Sequence, residues 1–115
     1  MTSLQTAKMI AGFLEEKLGE NIKVLEVEDL TILADYFVIA SGSSSTQVRA
    51  LADEVEHKLG LVGVEPRRVE GKPSGGWVLL DYNTVILHVF SEQAREFYSL
   101  ERLWADAKVI DIGSR

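Results

Sequence analysis

The chain has 115 residues, 46% of them apolar and 26% charged, which supports one folded domain with its own core and excludes a disordered or low-complexity chain. It has no cysteine, so disulfides, thiolate metal sites and cysteine nucleophiles are excluded, and a reducing cytoplasm suits it. Eighteen acidic residues against twelve basic ones leave a net charge of −6, which repels a nucleic-acid backbone and fits a basic protein partner better. No basic leader runs into an apolar core, and no stretch of about 18 apolar residues occurs, so neither secretion nor a membrane partner is expected.

In chain order, Ala7, Ile10, Ala11, Leu14 and Leu18 share one helical face, Thr2 and Gln5 have capping-box spacing, and Gly19 supplies a stop. Residues 23–27 alternate as a half-buried strand, and 36–40 form a nearly continuous β-forming run suited to the sheet centre. A second helix carries Val48, Leu51, Ala52, Val55 and Leu59, with Gly60 placed to end it. Residues 65–70, 76–82 and 85–90 read as strands; Pro66 sends the first to an edge, and Asn83-Thr84 turns the last two into a hairpin. Ser91 can cap a final helix holding Ala94, Phe97, Tyr98, Leu100, Leu103 and Trp104, too many large groups for one narrow buried stripe. The expected order is α-β-β-α-β-β-β-α. It describes a single α/β domain over residues 1–105, with a mixed sheet of about five strands, helices packed on it, and a C-terminal tail at 106–115.

The segment Ser41-Gly42-Ser43-Ser44-Ser45 joins a strand to a helix and so has the parts of an anion cradle. The lysine of a phosphate loop is missing, however, and Ser44 with Gln47 reads as a capping box after a turn at Gly42. A glycine-serine helix start also suits a nucleotidyltransferase, whose metal needs a carboxylate pair on the next strand. Asp81-Tyr82-Asn83 offers only one carboxylate, so a catalytic reading using Ser43 and Asp81 with magnesium is the weaker alternative. His57 and His88 have no i, i+4 histidine partner for a metal, and Arg67-Arg68 with Lys72 falls short of a nucleic-acid stripe. No catalytic residue, metal or cofactor is expected.

Aromatic residues collect instead in the C-terminal third. Alternation puts Trp77, Leu79 and Asp81 on one strand face and Val78, Leu80 and Tyr82 on the other, so both faces are apolar. Either helices cover the second face, or it forms an exposed patch that receives a partner.

Several blocks in order resemble the ribosomal silencing factors, also called the Iojap-related proteins. They are Asp35-Tyr36-Phe37-Val38-Ile39-Ala40-Ser41-Gly42 with Ser44 and Gln47, Glu70-Gly71, Trp77-Val78-Leu79-Leu80-Asp81-Tyr82, His88-Val89-Phe90, and the run from Arg95 to Trp104. Asn83-Thr84 departs from the Gly-Asp usual there. The resemblance implies a nucleotidyltransferase-like fold without its catalytic carboxylates. It further implies binding to the large ribosomal subunit through large-subunit ribosomal protein fourteen, which blocks joining of the small subunit when nutrients are scarce. It points to Trp77, Asp81, Tyr82, Phe90, Tyr98, Leu100 and Glu101 as partner-binding residues, with Trp77 and Tyr98 as aromatic anchors and Asp81 and Glu101 as partners for cations. It also allows a homodimer when free, and organelle relatives suggest ribosome assembly as an alternative role.

Overall fold

The computed structural model describes residues 1–112. Its elements are α1 (Ser3–Glu16), β1 (Glu20–Glu26), β2 (Tyr36–Gly42), α2 (Ser45–Leu61), β3 (Arg68–Lys72), β4 (Trp77–Asp81), β5 (Val85–Ser91), α3 (Glu92–Tyr98), α4 (Leu100–Leu103) and β6 (Lys108–Ile110). The strands form one sheet in the order β3-β4-β5-β2-β1-β6. Only β2 and β5 run parallel to each other; the other neighbouring pairs are antiparallel. This is the mixed α/β architecture expected from the sequence.

Local signals explain the boundaries. The Thr2 hydroxyl accepts from the Gln5 N–H while the Gln5 side chain accepts from the Thr2 N–H, a complete capping box at the start of α1. The stop differs from the expected one: Leu18, at φ 63°, takes the left-handed position, and Gly19 instead allows close approach to Leu14 and Leu51. Likewise α2 runs past Gly60 to Leu61, and the left-handed glycine after it is Gly63. The β4–β5 turn does place Asn83 at φ 74°.

Three differences bear on the site. The sheet has six strands rather than about five, because β6 pairs antiparallel with β1 and lies inside the 106–115 segment expected to be a tail. It caps what would otherwise be an open edge, and Ile110 and Ile112 pack on the core. Residues 113–115 of that segment lie outside the described residues. The final helix is broken at Ser99, with φ 49° and ψ 50°, so its crowded apolar groups divide between two short helices. Finally, β3 begins at Arg68 rather than at residue 65, leaving Pro66 outside the ladder where its missing N–H costs nothing.

The sheet separates two cores. Beneath α1 and α2, Ile10, Leu14, Leu51, Val55 and Leu59 meet Val24, Val38, Leu80, Leu87 and Val89. On the opposite face, Leu25, Val27, Ala34, Phe37, Ile39 and Phe90 form a smaller cluster on which Trp77, Ile86, Leu100 and Trp104 pack. The first core is covered across its width by two long helices. The second is covered only in part, by α3, α4 and the chain leading to β6, and its remainder is the surface considered next.

Candidate partner-binding face

Strand register fixes which side chains share this half-covered face. The two-residue turn at Asn83-Thr84 sets Trp77 opposite Phe90, Leu79 opposite His88 and Asp81 opposite Ile86. The parallel pairing of β5 with β2 then adds Phe37 and Ile39 beside Ile86 and His88. The result is a continuous aromatic layer. Trp77 stacks at 14° on both His88 and Phe90, and Tyr98 leans on Trp77 with ring centroids 5.3 Å apart. Phe97 meets Tyr98 edge-on, and Trp104 meets Phe37 edge-on. Phe90 is buried beneath, whereas Trp77 is half-buried, Tyr98 is 48% exposed and Phe97 is 81% exposed. Large rings held by stacking yet open to solvent lose little side-chain freedom when a partner covers them.

The Trp77 indole Nε1–H donates to His88 Nδ1 over 3.2 Å. Burial pushes the His88 imidazole down to about 4, so the ring is neutral at physiological pH and its Nδ1 keeps the lone pair that accepts this bond.

Both carboxylates expected to meet cations of a partner have cations of their own. Asp81 is buried, and its Oδ2 accepts from Arg67 Nη2 at 3.0 Å and Arg68 Nη2 at 3.1 Å while Oδ1 accepts from the Asn83 N–H at 2.8 Å. Burial alone would raise its pKa, but the Asn83 N–H and the two guanidinium groups outweigh it and hold the carboxyl below its ordinary value. Glu101 accepts from Arg95 Nε and Nη2 and also pairs with Lys23. Burial again raises and Arg95 again lowers, with a net shift downward. Arg95 is itself buried and donates to Ser41 Oγ at 2.9 Å, which ties α3 and α4 to the end of β2. Thus Asp81 and Glu101 brace the face from within.

The seven carried-over residues do not form one patch. Trp77, Phe90 and Tyr98 meet directly, and Leu100 packs on the same cluster. Tyr82 instead faces the core under α1 and α2, where its hydroxyl is buried without a hydrogen-bond partner among the described residues and burial pushes its phenol far up. Sequence reasoning gave no role to Arg95 or His88. Counting outward from the Asn83-Thr84 turn would have put His88 diagonally beside Trp77; no local signal pairs Arg95 with Ser41.

The former anion cradle is filled. Ser44 Oγ accepts from the Gln47 N–H, as expected of a cap, but the Gln47 carboxamide oxygen takes the N–H and hydroxyl of Ser43 rather than the cap residue's own N–H. Gln47 Nε2 then donates to the Leu18 carbonyl, locking the amide across the loop. Gly42 is required there because a Cβ would lie 2.9 Å from the Val48 nitrogen. Ser43 and Asp81 are not brought together. Asp81 lies level with Ile86 and Phe37 at the start of β2, whereas Ser43 follows Gly42 at its end, six positions or about 20 Å further along the chain direction. Among the described residues no cluster of His, Cys, Asp or Glu has metal-binding geometry. At the carboxyl ends of β2 and β5, where open α/β sheets hold ligands, there is a hollow of about 480 Å³. Glu92, Glu96 and Glu101 line it and outnumber Arg95 and Arg102, an unfavourable setting for phosphate.

The family model described as "Ribosomal silencing factor during starvation" matches residues 1–115. The ribosomal silencing factor RsfS of Bacillus subtilis (strain 168) is 36% identical over 112 residues, which span 97% of this chain and 95% of that protein. A crystal structure of a protein from Chromobacterium violaceum superposes with a TM-score of 0.87 at 37% identity, covering 91% of this chain and 88% of the other. The mouse protein named "Mitochondrial assembly of ribosomal large subunit protein 1" is 29% identical over 84% of this chain and 43% of its own length. The chain belongs to the ribosomal silencing factor family.

Proposed function

We propose that this protein is a non-enzymatic factor that binds the large ribosomal subunit through ribosomal protein fourteen and so blocks association with the small subunit, lowering translation when nutrients are limiting. The observation that carries the reading is the aromatic layer in which Trp77 lies near-parallel to buried Phe90, Tyr98 leans on both, and Phe97 meets Tyr98 edge-on at the exposed rim. Such rigid, partly exposed rings are suited to anchoring a protein interface. A body of 33 × 33 × 30 Å is wide enough to obstruct a subunit face without any chemistry. The chain's −6 net charge favours a basic ribosomal protein over rRNA as the direct contact. The action takes place in the cytoplasm, and the same open rings support a homodimer when no ribosome is available.

Cosedimentation tests the binding step: the protein is expected to travel with isolated large subunits and not with small ones. Equal recovery with both, or with neither, contradicts the reading. A second role, in assembly of the large subunit, is favoured by the mouse relative's name. In that case large-subunit precursors accumulate on depletion of the protein even in nutrient-rich cells.

A further inference from the structure

A second hollow, of about 350 Å³, lies beside the aromatic layer and is bounded by Leu33, Phe37, Leu79 and Ile86, with His88 among its lining residues and Arg67, Arg68, Glu70 and Asp81 along one rim. Its walls are mostly apolar. The rim neutralises itself, since Arg67 and Arg68 are held by Asp81 and Arg68 also pairs with Glu70 at 3.4 Å. A net-charged ligand therefore finds no unpaired counter-charge there.

His88 is the exception to this internal pairing. An indole nitrogen can only donate, so the bond from Trp77 fixes His88 Nδ1 as the acceptor, and a neutral ring must then carry its proton on Nε2. His88 is only 6% exposed, and among the described residues its ring takes part in one side-chain hydrogen bond, the one from Trp77 to Nδ1, which leaves Nε2 for a partner. The rings of Trp77, Phe90 and Phe37 hold the imidazole in place. A fixed donor in a mostly apolar hollow gains most from an acceptor that arrives with apolar company.

We propose that this hollow is a recognition site for a protein segment in which an apolar side chain sits beside an unpaired backbone carbonyl, and that His88 Nε2–H donates to that carbonyl. The inference rests on the proposed function: the segment belongs to the large-subunit protein that the aromatic layer engages. A carbonyl suits the site better than phosphate or carboxylate because the rim cations are already paired and the chain is acidic overall. Trp77 then has two tasks, one as an anchor and one as a positioning residue that sets the tautomer of its neighbour.

Nitrogen-15 NMR of the free protein reads the tautomer directly. The wild type is expected to hold the proton on Nε2, and Trp77→Phe, which keeps an aromatic ring but lacks the indole donor, is expected to give a mixture. His88→Phe preserves the stack and removes the donor; its affinity for isolated large subunits is expected to fall about tenfold. Leu33→Ser, at a side chain 64% exposed and free of any core role, is expected to weaken binding about threefold or more through the hollow's wall. A proton on Nδ1 in the wild type, or wild-type affinity in either binding variant, overturns the inference. If the wild type itself does not bind large subunits, the proposed function fails first, and the two failures are distinct.

Discussion

The Trp77 indole donates to His88 Nδ1 over 3.2 Å while the two rings lie 14° from parallel. A tryptophan at a half-covered sheet face would ordinarily sample several rotamers. Here the indole N–H is hydrogen-bonded to His88, the ring lies near-parallel to Phe90 with centroids 5.8 Å apart, and the Tyr98 ring sits 5.3 Å away. An anchor organised before the partner arrives loses little further freedom on binding.

Replacing Trp77 by alanine should therefore weaken large-subunit binding by at least about 1 kcal/mol, or roughly fivefold, as expected of an interface anchor. Quantitative cosedimentation checks this, with urea unfolding run in parallel to separate affinity from stability. Trp77→Ala leaves His88 Nδ1 without its donor, so some loss of stability is also expected.

Acid should weaken the fold through His88. Its pKa is depressed from 6.5 to about 4 by burial, so between those values the unfolded chain takes up a proton that the folded chain refuses. This contribution is complete above pH 6.5 and is lost as pH falls toward 4, a decline of up to about 3 kcal/mol. Arg67 and Arg68 on the same hollow oppose protonation; Glu70 and Asp81 favour it. Urea midpoints measured across this range should drop for the wild type and stay flatter for His88→Phe. Asp81 and Glu101, whose pKa values are lowered, lose their contributions at more acid pH still.

Asp81→Ala and Asp81→Asn should differ. Alanine strips the acceptor from the Asn83 N–H at the β4–β5 turn, and a loss of about 1–3 kcal/mol is expected in urea unfolding. Asparagine keeps an acceptor, and the Arg67 and Arg68 side chains are more than half exposed and can turn to water, so the cost should be smaller. Equal losses would mean that the two ion pairs, and not the turn, depend on the carboxylate.

Gly42→Ala should destabilise the protein by about 1–3 kcal/mol, because the added methyl would press on the Val48 backbone where β2 turns into α2. The same crowded loop, with Gln47 occupying the Ser43 donors, should give no saturable heat in calorimetry with nucleoside triphosphate and magnesium. A saturable signal abolished by Asp81→Ala would restore the enzymatic alternative.

The sequence was most legible where a feature depends on near neighbours. Thr2 with Gln5, the apolar stripes of α1 and α2, and Asn83 at the hairpin each act within one turn of chain. Features set by distant strands were less visible. The short β6 is defined by its pairing with β1, some eighty residues earlier, and Lys108 and Asp111 beside Val109 and Ile110 leave no strong alternation to read. Ser99 adopts a left-handed conformation with no glycine to announce it, so two helices look like one. The aromatic face was foreseeable from strand alternation, but the engagement of Asp81 and Glu101 was not. Those carboxylates look free until Arg67, Arg68 and Arg95 are folded against them.

Subunit joining is the most direct test of the proposed role. Purified large and small subunits are mixed with increasing amounts of the protein, and whole ribosomes are followed in a sucrose gradient. Progressive loss of the whole-ribosome peak, with the protein retained on large subunits and Trp77→Ala requiring a higher concentration, is the predicted result. An undiminished peak at saturating protein would contradict silencing by steric obstruction.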